Sequence, residues 1–335
     1  MQLATDRPDT NNPEIALTGR FDAFETEGFR TTVDGLLGGS AKSLSIVMSD
    51  VVFVDSSGLA ELVRAMKHCR ERGGELNAIT TARMHRAALD QAMVAKEHAT
   101  AARITTAALP DPDQVPAIEG VSLFANLVPA RNTGGDLYAW REINGSLWFA
   151  LGDVSGKGLP AAVQMSTITS AIEAGFRQHH LDGPDAVVEA VGRWVHDRLS
   201  ESGMFVTLAV GHWDPATCEL RLANAGHSPI VFRRDGESER IDATAPPVGV
   251  IEGMPTIATV IETRPDDLLV LATDGFTEQD NPDGEMYGED RFDDTIAVAT
   301  GGAVAVGEHL LNELAEHGQD CEQSDDRTLM VLHFS

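Results

Sequence analysis

Two periods of apolar residues alternate between positions 14 and 105. Ile15-Ala16-Leu17 and Leu44-Ser45-Ile46-Val47-Met48 are short apolar runs of strand length. Phe21 to Leu37 instead carries a helical apolar pattern, closed by Gly38-Gly39. After Asp55-Ser56-Ser57-Gly58, the residues Leu59, Leu62, Val63 and Met66 share one helix face, and Gly73-Gly74 ends that stretch. Leu76 to Ile79 is predicted as a further strand and Met84 to Met93 as a further helix. Strands alternating with helices imply an α/β sheet with helices packed over it. Residues 1–13 read as a loose tail.

The pattern changes after residues 106–119. That segment holds three prolines and no helical period, which predicts a linker. Beyond it, apolar runs come in pairs separated by turn signals: Leu147–Leu151, Phe205–Val210, Leu220–Leu222, Ile230–Phe232, Leu268–Leu271 and Leu329–Leu332. Helical stretches are predicted at about 159–177, 185–200 and 303–316. Hairpins with separate helices imply an α+β domain with a mostly antiparallel sheet. The expected division is a domain at 14–105, a linker at 106–119 and a domain at 120–335.

Composition narrows the function. A chain of 335 residues with 42% apolar content has room for two cores. The net charge of −27 argues against nucleic acid or an anionic membrane as partner. It suits a protein that gathers divalent cations. No apolar run approaches a membrane span, and the polar N-terminus lacks signal-peptide features. Cys69, Cys218 and Cys321 are odd in number and far apart, which argues against disulfides or a zinc site and for a reducing cytoplasm.

Acidic residues sit at the ends of the apolar runs. Asp136 follows Gly134-Gly135, Asp153 lies in Gly152-Asp153-Val154-Ser155-Gly156-Lys157-Gly158, and Asp274 precedes Gly275. Asp325-Asp326-Arg327-Thr328 opens the last run. Carboxylates at strand ends, with no Cys or His set beside them, suit hard cations such as Mg²⁺ or Mn²⁺ and point to metal-assisted phosphate chemistry. Asn144-Gly145 is the strongest short signal for a two-residue hairpin turn. Counting outward from that turn puts Asp136 directly opposite Asp153. Like charges placed so are destabilising, and a bound cation would relieve them. Asp274 ends one strand and Asp325 begins another, so in antiparallel neighbours both fall at one edge. The four carboxylates are expected along a single rim. The bland reading, in which Asp and Gly merely mark turns, accounts for any one motif better than for all four together.

Other chemistries fit poorly. Cys321 and Arg327 have the spacing of a cysteine-dependent phosphatase loop, but Glu322, Asp325 and Asp326 between them would repel phosphate. Gly152 to Gly158 has one residue too few between its glycines for a P-loop, and no Ser or Thr follows Lys157. His227, in the turn Asn224-Ala225-Gly226-His227-Ser228-Pro229, is read as structural rather than as a base.

Five separated motifs carry a resemblance over roughly residues 120–335. VPARNTGGDLYAW, GDVSGKGLPAA, NAGHSP, ATDGFTEQDNPDGEMYG and SDDRTLMVL resemble, in order, the stage-II-sporulation-E-type branch of the PPM (PP2C-like) serine/threonine phosphatases. The resemblance implies an α-β-β-α sandwich that binds two Mn²⁺ or Mg²⁺ ions. By motif, Asp153 would bridge the ions, Val154 would give a backbone carbonyl, and Asp274 and Asp325 would be further ligands. Asp136 would serve the metal-water shell. A metal-bound hydroxide would attack phosphorus in line, without a phosphoenzyme. The classical eukaryotic members carry a phosphate-binding Arg five residues before the position of Asp136, and Arg131 stands there.

LTGRFDAFETEGFR followed by FVDSSGLAELV resembles the STAS domain of anti-sigma-factor antagonists, over about residues 14–100. A serine at a helix start is first of all a cap. A hydroxyl there also suits phosphate, because the helix dipole and free N–H groups favour an anion. In that family the serine directly after Asp is phosphorylated, here Ser56, and Asp22 matches an acidic residue near it. The two modules imply a protein phosphatase in partner switching, with a phosphorylated STAS-type antagonist as substrate and an anti-sigma kinase as a further partner. The alternatives are a non-catalytic protein that sequesters such a kinase, and a phosphatase that acts on its own STAS domain. The oligomeric state, a homodimer included, stays open.

Overall fold

The computed structural model describes residues 2–6, 10–39, 41–79, 100, 102–103, 105–130 and 133–335. They fall into two compact units, one within 1–96 and one within 97–335. The expected helix at Met84–Met93 and the candidate Arg131 lie outside the described residues.

In the first unit the elements are β1 (Gln2–Asp6), β2 (Glu14–Phe21), α1 (Thr26–Leu37), β3 (Leu44–Val54), α2 (Ser56–Glu71) and β4 (Leu76–Ile79). The sheet order is β1-β2-β3-β4. β2, β3 and β4 run parallel, which requires crossovers, and α1 and α2 supply them. Ile15 and Leu17 of β2 and Leu44, Ile46 and Met48 of β3 recur at period two. They meet Phe29, Val33 and Leu37 of α1 in one core. Each such side chain contributes roughly 1.5–3 kcal/mol by burial.

Two expectations for this unit change. The N-terminal tail holds strand β1, paired antiparallel to β2 from Gln2↔Thr18 to Asp6↔Glu14. Leu3 packs against the core there; the few apolar residues of that polar stretch show no period. Phe21 ends β2 instead of opening a helix. It keeps helical spacing with Phe29 because both enter the same core, their ring centroids 4.9 Å apart.

The second unit begins with β5 (Val121–Val128), β6 (Asp136–Ile143) and β7 (Ser146–Val154), then α3 (Leu159–His179) and α4 (Pro184–Ser202). β8 (Val206–Asp214), β9 (Glu219–Ala225), β10 (Ile230–Arg234), β11 (Glu237–Arg240), β12 (Ala258–Glu262) and β13 (Leu268–Ala272) follow. The unit closes with α5 (Asp274–Thr277), α6 (Glu289–Val298), α7 (Ala303–His317) and β14 (Arg327–Phe334). Two five-stranded sheets form, β11-β10-β13-β14-β5 and β12-β9-β8-β7-β6. Their pairings are antiparallel.

The central strands are buried on both faces, and alternation sorts their side chains. In β7, Leu147, Phe149 and Leu151 enter the core between the sheets, while Trp148 and Ala150 face α3 and α4. In β13, Leu269 and Leu271 face inward, while Leu268, Val270 and Ala272 pack with residues of α6 and α7. The layers are therefore α-β-β-α. From the predicted linker, Leu109, Val115 and Ile118 pack against this unit's core.

Candidate functional site

The hairpin turn fixes the site's register. Asn144 and Gly145 both have positive φ, 55° and 85°, as a type I′ turn requires. Ile143 pairs with Ser146, and the ladder runs outward to Asp136↔Asp153. Both continue the alternation of Tyr138 and Trp140, and of Leu147, Phe149 and Leu151, so both lie on the inter-sheet face. The carboxylates thus stand at the end of the sandwich, between its sheets.

The other two arrive from the second sheet. β13 and β14 pair from Leu268↔His333 to Ala272↔Leu329. Asp274 follows β13 as the first residue of α5, and Asp325 precedes β14. They meet at the same edge.

Asp136 ties the two sheets together. Its Oδ2 accepts from Thr273 Oγ1 at 2.8 Å and Thr328 Oγ1 at 2.6 Å. Burial first, and Asp153 second, hold its carboxyl well above the usual carboxylate range. Asp153 is pushed up to about 7, by burial first and then by Asp274, while the hydrogen bond from Asp136 works the other way. With Oδ2 taken by two hydroxyls, Oδ1 is the oxygen left for a proton shared with Asp153. Two full charges 4 Å apart would repel by about 4 kcal/mol at an effective dielectric near 20, so sharing one proton removes a large cost. Asp274 is also raised, by burial first and then by Asp325. Glu278 stands in the same field, raised by burial and then by Asp274.

Several site residues escaped the sequence. Asp326 holds the strand-entry loop, accepting from Ala130 N at 2.9 Å and Gly135 N at 2.8 Å. Asp325 Oδ2 pairs with Lys157 Nζ at 2.7 Å. Thr273 and Thr328 adjoin the acidic motifs, and that adjacency was the only signal for them. His227 is fully buried, as a structural role requires, and its Nδ1 lies 3.0 Å from Thr207 Oγ1. Arg327 bonds Gln279, which removes it from any loop with Cys321.

Among the described residues no three carboxylate, imidazole or thiol groups already stand at ligating distance around one point. The donor set nevertheless suits a hard cation. A Cβ on Gly135 would lie 2.6 Å from the Val154 carbonyl oxygen and 3.2 Å from Asp153 Oδ1, so two oxygens converge on one small space that only glycine leaves open. The acids around it raise one another's pKa, and a divalent cation would reverse that repulsion.

In the first unit the cap is Asp55 rather than a serine. Its Oδ1 accepts from Gly58 N at 2.8 Å and its Oδ2 from Ala23 N at 3.1 Å. The Gly58 bond chiefly holds its carboxyl below the usual range. Ser56 is therefore the first helical residue, with an exposed side chain, while Ser57 is half-buried. Asp22, bonded to Arg20 Nε at 3.2 Å, immediately precedes Ala23 and so lies beside that helix start.

The family model described as Stage II sporulation protein E (SpoIIE) matches residues 143–335, more than half of the chain. The chain belongs to the SpoIIE family. A STAS-domain model matches residues 7–104, so this SpoIIE-family chain also carries a STAS domain. It is similar to Protein IcfG of Synechocystis sp., 24% identical over 249 residues, covering 66% of this chain and 39% of the relative. It is similar to Phosphoserine phosphatase RsbU of Bacillus subtilis, 27% identical over 225 residues, covering 65% of each. The chain thus spans less than two thirds of the length of either curated relative. The SiaA-PP2C domain of Pseudomonas aeruginosa superposes with a TM-score of 0.66 at 23% identity, over 73% of this chain and 99% of that one, which establishes the shared fold. Among the described residues no helix is long and apolar enough to cross a membrane.

Proposed function

We propose that this SpoIIE-family chain is a metal-dependent protein serine/threonine phosphatase of a partner-switching pathway, acting on a phosphorylated STAS-type antagonist. The observation that carries the reading is the carboxylate rim, with Asp153 raised to about 7 among Asp136, Asp274 and Asp325. Such a cluster is costly unless it binds a cation or a proton. RsbU, 27% identical to this chain over 225 residues, is named a phosphoserine phosphatase.

In this reading Asp153, the Val154 carbonyl, Asp274 and Asp325 hold two Mn²⁺ or Mg²⁺ ions, and Asp136 acts through water. When bound, the ions polarise the phosphoryl oxygens and make water a stronger nucleophile at neutral pH. The chain's residues do the rest. Thr273 and Thr328 fix Asp136 in place. Burial raises the Asp136 and Asp153 carboxyls, and a cation held by Asp153 would favour their charged forms. Lys157, now on Asp325, adds a cation at the mouth. Arg131 remains the candidate for the substrate phosphate.

A second reading makes the chain's own STAS domain a substrate, since Ser56 is exposed at a helix N-terminus. The test is phosphate release from a phosphorylated STAS protein, in trans, with Mn²⁺ and with chelator. Metal-dependent release supports the reading. Release confined to the chain's own phosphorylated Ser56 favours the second, and none from either substrate rejects both.

A further inference from the structure

The turn from Asn224 to Pro229 crosses from one sheet to the other, joining β9 to β10. It does so at the carboxylate end. Ala225 pairs with Leu208 of β8, and Ile230 pairs with Leu271 of β13. The turn is locked in place. Asn224 Oδ1 accepts from His227 N at 2.8 Å, and Asn224 Nδ2 donates to the His227 carbonyl at 3.0 Å. Ala272 N donates to Pro229 O at 3.1 Å.

His227 sits in this crossover with its ring fully buried and its pKa lowered to about 4, by burial first. The ring is therefore neutral. Its Nε2 is buried without a hydrogen-bond partner. In the tautomer with the proton on Nε2, Nδ1 is left to accept. Nδ1 lies 3.0 Å from the hydroxyl of Thr207, which is then its donor. Thr207 is directly opposite Asp153 across β7 and β8. Residues so paired share a face, with Cβ atoms about 4.5–5.5 Å apart. A threonine hydroxyl at that spacing has one obvious alternative acceptor, the Asp153 carboxylate.

We propose that His227 is a positioning residue that holds the Thr207 proton away from Asp153, so that Asp153 keeps both oxygens for a divalent cation. Without the imidazole, the Thr207 hydroxyl turns to Asp153. A hydroxyl bonded to a carboxylate lowers its avidity for cations, because a charge-assisted bond must break first. The chain of action runs from His227 through Thr207 to Asp153. It rests on the proposed cation site at the rim.

The test is Mn²⁺ titration of the full-length chain by calorimetry, in a small set of variants. His227→Phe keeps the ring volume and removes the acceptor. It should bind Mn²⁺ about 10- to 100-fold more weakly, the size of effect that groups orienting a ligand have. Adding Thr207→Val removes the competing hydroxyl and should restore most of the affinity, although it repairs nothing in the packing around residue 227. His227→Asn, which keeps an acceptor near the Nδ1 position, should stay closer to wild type than the Phe variant. Undiminished affinity in His227→Phe overturns the inference, and so does a loss that Thr207→Val leaves unchanged. Should the Phe variant not fold, the Asn variant decides: alone and combined with Thr207→Val it must bind within about threefold of wild type, and a larger loss that Thr207→Val does not repair overturns the inference. Wild-type protein that binds no Mn²⁺ would instead reject the proposed function.

Discussion

Replacing Asp136 by Asn should stabilise the metal-free protein, and by an amount that depends on pH. Asp136 is buried, and its carboxyl is held well above its ordinary value of 3.8. The folded chain therefore keeps a proton that the unfolded chain releases. Stability from such a group is present at acid pH and falls as pH rises, by about 1.4 kcal/mol per pH unit for one proton. Asn is neutral at every pH. Its carbonyl oxygen can accept from Thr273 and Thr328, and its amide can donate toward Asp153 as the protonated acid does. The variant and the wild type should then be nearly equal in stability near pH 4. Between pH 5 and pH 7 the gap should widen in favour of Asn, by no more than about 1.4 kcal/mol per pH unit. For a unit of this size that is up to about 3–6 °C in melting temperature per pH unit. Scanning calorimetry of chelated full-length protein across that range measures it. Saturating Mn²⁺ should raise the wild-type transition more than the variant's, since cation binding stabilises the state it binds. A gap that does not change with pH, or a variant less stable than wild type at pH 7, refutes the shared-proton argument.

Asp153→Ala and Asp274→Ala should each abolish hydrolysis of an aryl phosphate while the sandwich still melts cooperatively, because they empty the rim and leave the sheets; retained turnover in either would remove that residue from the site. Ser56 should be labelled by an anti-sigma-type kinase and Ser56→Ala should not, as read by mass spectrometry; label on Ser57 instead would show that the wrong hydroxyl was chosen. Gly275→Ala should cost about 1–3 kcal/mol by overpacking, because its Cβ would sit 2.0 Å from the Asp326 carbonyl oxygen; wild-type stability in urea would contradict that contact.

Much of this was legible because each signal is local. Asn144-Gly145 sets its own turn, and the turn sets the Asp136–Asp153 register without help from the rest of the fold. The runs Leu147–Leu151 and Leu268–Leu271 announced strands by length, although burial on both faces hid their alternation. What stayed hidden depends on tertiary contact. Thr273 and Thr328 matter only because they meet Asp136 from another sheet. Asp326 reads like a twin of Asp325, yet it faces Ala130 and Gly135 while Asp325 faces Lys157. A serine at a helix start reads as the cap of α2, but the extended backbone of Asp55 and its bond from Gly58 N give that role to Asp55. His227 could be read as structural, but its bond to Thr207 needs the crossover between sheets.

Anomalous diffraction at the manganese edge, from crystals of the full-length chain grown with Mn²⁺, tests the central claim most directly. Two peaks are expected at the rim, ligated by Asp153, the Val154 carbonyl, Asp274 and Asp325. Peaks elsewhere, or none at the rim under saturating Mn²⁺, would contradict it.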